Sequence, residues 1–413
     1  MNRIDPYLSY YRWVMLVGAS LLYCCFAFVH FSTSSLASIM IEDLGLSLSE
    51  MGTIMGSWPL AYIFLSIPAG ILLDRFGVRL MLLFGILVVS LSAYLRVTAM
   101  DHGDMFIAVM IFGLGAPFIS IGTPTLIREW FSYEQRGLAL GICAAMISLG
   151  SVLGLTMTHE LLAIFNGSWR STLNVYAIAC AVSACVWALI ISHPLCRIEG
   201  ESKKHERIAD LFAGCFQLLR TPSIRAMLFL SIGLFFYMHI TINWLPKLIS
   251  QFDSEMSVAQ SAYWASLPVI VGIVSAAIIP RFITNNREIV TLAILLVMAA
   301  ISSLLLTTHA ATAVLIISLL MVGIIRGGLP LVSSLLMMHM PGISQKNTGA
   351  GMGLFFAFGQ IGGVLGPITF GYLAEKSGGF DVPLYFLTGF CLILAGVCLK
   401  ISGAKNTEVQ QIA

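Results

Sequence analysis

The chain has 413 residues, of which 58% are hydrophobic and only 10% charged, and its net charge is +2. Soluble domains carry about 25% charge, so a chain this poor in charge belongs mostly in lipid. So small a positive excess also leaves no basic face for a nucleic-acid partner.

Runs of roughly twenty apolar residues predict membrane helices at about 13–40, 51–73, 80–99, 105–127, 138–164 and 172–192. A second series lies at about 225–249, 258–281, 288–308, 311–338, 349–373 and 383–403. The expected fold is an all-α polytopic membrane protein in which 1–192 and 225–413 each form a six-helix bundle, joined by a cytoplasmic linker at 193–224. The first run is too long for a signal-peptide core and is read as a retained helix. In the linker, Ile208, Leu211, Phe212, Cys215, Phe216 and Leu219 recur at helical spacing. A helix on the membrane surface and a helix on the bundle ends are both open readings. None of the nine cysteines falls in an external loop, so no disulfide is expected.

Lys and Arg set the orientation. With both termini inside, seventeen of the 22 fall on the cytoplasmic side, only Arg170, Lys247 and Lys376 fall outside, and Arg96 and Arg326 lie within helices. An internal repeat supports two halves. A shift of 212 residues lays Gly115, Gly137, Gly141, Gly150 and Gly154 on Gly327, Gly349, Gly353, Gly362 and Gly366. Both copies run inward, which makes the repeat parallel. Glycines four apart permit close helix approach, and packing is their expected role.

The tight turn after the second run reads Gly70-Ile-Leu-Leu-Asp74-Arg75-Phe-Gly77-Val-Arg79. This pattern resembles the hallmark loop between the second and third helices of the major facilitator superfamily. The resemblance extends through Arg128-Glu-Trp-Phe131, Glu134-Gln-Arg136-Gly137 and Gly349 to Gly371. It implies twelve helices in two pseudo-symmetric bundles and a secondary active or facilitative transporter that works by alternating access. It also implies a gating set of Gly70, Asp74, Arg75, Gly77, Arg79 and Arg136. In that family Asp74 would sit near Asn347-Thr348-Gly349, where free helix N–H groups favour a carboxylate. The second-half counterpart, Ile279-Pro280-Arg281-Phe282, has no Asp, so a single latch is expected. Arg96, Pro124-Thr-Leu-Ile-Arg128, Asn243-Trp-Leu-Pro246 and Gly327-Gly-Leu-Pro-Leu331 look like cyanate/nitroimidazole-type bacterial carriers. Leu60-Ala-Tyr62, Pro68-Ala69 and Leu73-Asp74 are similar to heme/choline-type carriers, so cargo stays open.

Charge inside a bilayer costs about 2.5–3.5 kcal/mol on insertion scales and usually has a functional cause. Arg326 lies near the middle of the tenth run, flanked by Ile324, Ile325, Gly327 and Gly328. The resemblance places the first, fourth, seventh and tenth helices around a central cavity. A guanidinium there would bind a carboxylate bidentately, the competing reading being an Arg fixed to helix carbonyls. Arg96, near the outer end of its run, either snorkels to water or serves an outer gate. His239 and Asn243 share a helix face, with Tyr237, Thr241 and Trp244 beside them. They read as a cavity wall or as hydrogen-bonding groups between helices. His30 is a proton shuttle, a substrate contact or a structural histidine. Thr123 reads as a polar wall position on a helix that Pro117 and Pro124 bend, and Gln360 as packing.

No Asp or Glu lies deep in any expected helix, so proton coupling would fall to His30 or His239. No metal site, phosphate loop or nucleophile elbow is present, so neither a cofactor nor enzyme activity is expected. The expected function is transport of a small, anionic organic solute by a monomer in the inner membrane, its partners being that solute and the lipid bilayer. The alternatives are a carrier for choline, heme or drugs built on Trp58, Tyr62, Tyr237 and Trp244, and a non-transporting sensor on the same fold.

Overall fold

The computed structural model describes residues 10–196, 216–252, 256–283, 287–309, 312–343 and 347–412. The linker residues Ile208, Leu211, Phe212 and Cys215 lie outside them, while Phe216–Leu219 is helical. The described helices in chain order are α1 Tyr11–Ser35, α2 Ala37–Asp43, α3 Leu48–Phe76, α4 Val78–Thr98, α5 His102–Trp130, α6 Tyr133–Ile164 and α7 Trp169–Ser192. They continue with α8 Pro222–Phe252, α9 Val258–Ile278, α10 Glu288–Leu306, α11 Thr312–Met338, α12 Thr348–Ser377 and α13 Asp381–Ile412. Among the described residues, eleven helices are long and apolar enough to cross a membrane. The bent pair Leu48–Ser66 and Pro68–Phe76 within α3 makes a twelfth. The protein is therefore an all-α polytopic membrane protein.

Local chemistry explains the helix ends. At α3 the Ser47 hydroxyl accepts from the Glu50 N–H and the Glu50 carboxylate from the Ser47 N–H, a reciprocal cap. Asp101 caps α5 and Ser168 caps α7 through the N–H three residues on. Between α3 and α4 the chain turns at Gly77 with φ 84°, a conformation that a side chain resists. Along α4, Leu80, Phe84, Leu87 and Leu91 are exposed, while Leu82, Ile86, Val89 and Ala93 are buried. That is a lipid stripe opposite a packing stripe.

The chain divides into two compact units, Met1–Gly45 with Phe64–Glu206, and Leu46–Ile63 with Arg207–Ala413. The first half of α3 therefore counts with the second unit. There, Gly52 abuts the Pro367 carbonyl and Gly56 the Val364 carbonyl. Glu375 accepts the free Ser49 N–H at 2.9 Å.

Within the first unit, a methyl on Gly150 or Gly154 would run into the carbonyls of Cys24 and Phe28 on α1. Within the second, Gly362 and Gly366 meet the carbonyls of Ile232 and Phe236 on α8 in the same way. In each pair the numbers rise together, so the two helices run parallel. The same contact recurring in both halves gives the glycine repeat its physical meaning. Four further glycines of the repeat do not pack as expected. Gly137, Gly141, Gly349 and Gly353 have nothing within 4 Å of the position a Cβ would take.

The expected first run, about 13–40, is two helices, because the chain breaks at Leu36 between α1 and α2. Just before the break, Ser32 and Ser34 turn their hydroxyls back onto the carbonyls of Val29 and Phe31, in competition with the helix ladder. The end of α2 is tied to α7: Asp43 Oδ2 accepts from Arg170 Nη1 at 2.5 Å and from Trp169 Nε1 at 3.0 Å. These bonds, Arg170's first, hold the Asp43 carboxyl below the usual carboxylate range.

Candidate functional site

In the first unit, Pro124 has no N–H to return to the Ser120 carbonyl four residues earlier. The Tyr23 hydroxyl donates to that carbonyl instead, at 3.1 Å. Beside this bend Thr123 is fully buried, with no hydrogen bond to its Oγ1 among the described residues. His30 is half-buried and stacks on Phe112, ring centroids 5.8 Å apart, and Phe26 stacks on the same ring at 4.9 Å.

Arg96 does not snorkel. It is 1% exposed and turns inward. It donates to the Val29 carbonyl at 3.2 Å, to Thr33 Oγ1 at 2.5 Å and to Ser92 Oγ at 3.2 Å, and lies 5.3 Å from the Phe112 ring centroid. Oxygen acceptors and an aromatic face take the place of water around the cation. That arrangement holds α4 to α1.

The residues of the gating motif are spread over the turn. Asp74, Arg75 and Gly77 are exposed, Gly70 and Arg79 half-buried. Asp74 makes no ion pair among the described residues of its unit, and Arg75 lies over Phe76 at 5.4 Å. The Arg79 carbonyl accepts from Trp187 Nε1 at 3.0 Å, while its guanidinium offsets part of the rise that burial causes in the Cys196 thiol. Arg136 donates to the carbonyls of Arg128 and Phe131 at 3.1 Å each and so caps the end of α5. A cation at the carbonyl end of a helix suits its dipole. His193 stacks on Tyr11 while Cys196 faces Met15, so those two side chains diverge.

In the second unit the polar residues gather at one level. Arg326 is the fifteenth of 27 residues in α11 and half-buried. His239 is the eighteenth of 31 in α8, and Gln360 the thirteenth of 30 in α12. Each therefore lies near the middle of its helix. Two prolines add backbone polarity at the same level. Pro330 has no N–H for the Arg326 carbonyl and Pro367 none for the Gly363 carbonyl.

His239 and Gln360 are 5% and 6% exposed. His239 Nδ1 and Gln360 Oε1 have no hydrogen-bond partner among the described residues. The Trp58 ring lies 5.3 Å from the His239 ring and Phe235 stacks on it at 6.2 Å. Asn243 Nδ2 donates to the His239 carbonyl at 2.8 Å.

The two aromatic candidates on α8 are both buried. Trp244 has no exposed surface, donates to the Pro367 carbonyl at 3.2 Å and meets Phe370 and Phe380. Tyr237 is 2% exposed. Indole and phenol rings carry most of their area in apolar surface, and at these positions the helix contacts absorb it.

Gln360, read from sequence as packing, and Gly363 are the additions that the structure makes. Gly363 lies four residues after Gly359 and beside Gly362, so its spacing gave no signal that set it apart from the packing glycines. A third missed feature is Glu288, a buried carboxylate whose Oε1 lies 2.8 Å from His339 Nδ1. It was missed because a residue at the start of a run reads as solvated.

Comparison with known proteins follows the same line. The sequence pattern of the Major Facilitator Superfamily matches residues 19–345. The hexuronate transporter of Bacillus subtilis (strain 168) is 22% identical over 403 residues, 89% of each chain. The quinolone resistance transporter of Acinetobacter baumannii is 24% identical, over 90% of this chain and 89% of that protein. The probable galactarate/D-glucarate transporter GarP of Escherichia coli (strain K12) is 23% identical over 92% of each. Among solved structures, the nucleoside transporter NupG superposes with a TM-score of 0.79 over 95% of this chain and 99% of its own, at 14% identity, a likeness of fold. The chain belongs to the Major Facilitator Superfamily, whose members are membrane transporters and not enzymes.

Proposed function

We propose that this protein carries a small organic anion of the sugar-acid class across the membrane by alternating access. The observation that carries the reading is Arg326, a half-buried cation at the middle of α11. A guanidinium in a low-dielectric setting is a strong, planar partner for a carboxylate. The relatives named for hexuronate and for galactarate and D-glucarate support the same cargo class. In this reading His239 and Asn243 are further polar contacts of the second unit, and His30 and Thr123 are the substrate contacts of the first. Gly70, Asp74, Arg75, Gly77, Arg79 and Arg136 belong to the part that switches access. The protein acts as a monomer in the inner membrane with both termini in the cytoplasm, as the Lys and Arg bias supports.

The test is counterflow in liposomes. The purified protein should exchange labelled D-glucuronate or D-glucarate faster than empty vesicles. Arg326→Ala should lower that flux by at least about tenfold while the unfolding midpoint is kept. Wild-type flux in Arg326→Ala would remove this residue from the site.

A second reading, an amphipathic or cationic drug-like cargo, draws on the Trp58 and Phe235 rings that flank His239 and on the quinolone relative. Thermal-shift screening of anions against quaternary amines separates the two, because only ligands of the folded state raise its midpoint.

A further inference from the structure

We infer that a pocket at one end of the second unit binds a small organic ammonium ion, with the Asp381 carboxylate as its counter-ion. The pocket is set at helix ends, apart from Arg326 at the middle of α11, and neither reading of the cargo assigns it.

The space is real and belongs to one unit. Its volume is about 350 Å³, and ligand sites start at about 300 Å³. Leu248 and Gln251 in the last turn of α8, Leu306 at the last position of α10 and Leu384 on α13 line it. Asp381, the first residue of α13, and His309, just past α10, bring the charge-bearing groups.

Those groups fix the sign of the occupant. Asp381 is the one carboxylate, and no Lys or Arg lines the pocket among the described residues. Lys376 turns away to the Tyr372 ring, 5.8 Å from its centroid. The neighbouring stretches outside the described residues, 253–255 and 310–311, read Asp-Ser-Glu and Ala-Ala and contain no cation. A carboxylate only accepts, so His309 Nε2 donates to Asp381 Oδ1, at 2.9 Å. That bond orients the carboxylate and leaves Oδ2 without a partner among the described residues. The imidazole is itself held, tilted on Phe252 with centroids 5.9 Å apart. Its backbone has φ 44°, in the left-handed region that few residues besides Gly, Asn, Asp and His adopt.

The helix ends act in the same direction. α8 and α10 finish at the pocket, and α12 finishes two residues before Gly379, which also lines it. Each brings a carbonyl end, the negative end of its dipole, and α13 alone brings an amide end. An ammonium ion therefore meets a carboxylate and three carbonyl ends, whereas an anion would be repelled by all four. The Gln251 carboxamide oxygen is a further acceptor, and the leucine walls suit a short apolar body.

Benzylamine and benzyl alcohol share a ring and a methylene and differ in charge, and they make the probe pair. Titrated calorimetrically into the full-length protein in detergent, benzylamine should bind at least about tenfold tighter, since its hydrogen bond to the carboxylate is charge-assisted. Asp381→Asn keeps the shape and should bring that ratio to about one. Gln251→Lys should do the same by setting a cation beside the carboxylate, and it is placed to fold, because Lys suits an exposed helix C-terminus. The unfolding midpoint of each variant reports folding. Equal binding of the two probes by wild-type protein overturns the site. So does a preference for benzylamine that survives Gln251→Lys or a folded Asp381→Asn, because an amine held at the cargo site would be untouched by either change.

Discussion

At the scale of single residues, the glycines separate contacts that hold the fold from positions that leave room. Gly362 faces the Ile232 carbonyl, and Gly353 faces open space. A methyl forced into close packing costs about 1–3 kcal/mol, whereas a glycine in an open helix gains from alanine's better propensity. Gly362→Ala should therefore lower the unfolding midpoint in detergent, and Gly353→Ala should hold or raise it. Equal midpoints for the two would show that the repeat contacts carry no weight. Spacing alone cannot draw this distinction, since Gly349/Gly353 and Gly362/Gly366 look alike in the chain. The same limit governs the candidate site. Arg326 and His239 were legible because an ionisable residue in an apolar run is rare. Gln360 was not, because an amide reads the same in sequence whether it is satisfied or stranded.

At the scale of elements, helix starts and breaks follow from local residues. Ser47 with Glu50, Asp101 and Ser168 announce their caps, and Gly77 its turn. Arg136 shows what spacing does not give: folding brings the carbonyls of Arg128 and Phe131 within its reach. The tie between α2 and α7 carries a pH prediction. The folded Asp43 carboxyl lies below its usual value, chiefly through its hydrogen bond from Arg170. A depressed carboxyl stabilises the fold above the unfolded value of about 3.9 and loses that contribution as pH falls through the folded value. Below about pH 4 the unfolding midpoint of wild type should therefore fall more steeply than that of Asp43→Asn. Parallel pH profiles for the two proteins would leave the tie without a stabilising charge.

At the scale of the whole molecule, orientation rests on the distribution of Lys and Arg, and it is testable apart from any cargo. A fluorescent protein that matures only in the cytoplasm, fused after Ala413, should fluoresce in cells. A periplasmic alkaline phosphatase at the same position should stay inactive. The reverse pattern would overturn the placement of both ends and of the Gly70–Arg79 turn. The division of the chain is a second feature of this scale. A reading from the polar linker keeps all of residues 46–76 in the first half, whereas packing groups Leu46–Ile63 with the second. Gly52 and Gly56, one helical turn apart, let that segment approach the carbonyls of Pro367 and Val364 closely, and nothing in their spacing names α12 as the partner.

The sequence by itself determined the membrane class, the helical fold, the superfamily and the presence of a charge at mid-depth. These follow from the bilayer's demand for long apolar helices, from the high cost of a buried cation and from a motif with fixed spacing. Only the tertiary structure decided which polar groups have partners. Arg96 Nη1 donates to α1 oxygens and Trp244 Nε1 to the Pro367 carbonyl, while His239 Nδ1 and Gln360 Oε1 have no partner among the described residues. Satisfaction depends on atoms far apart in the chain, which periodicity and composition do not record.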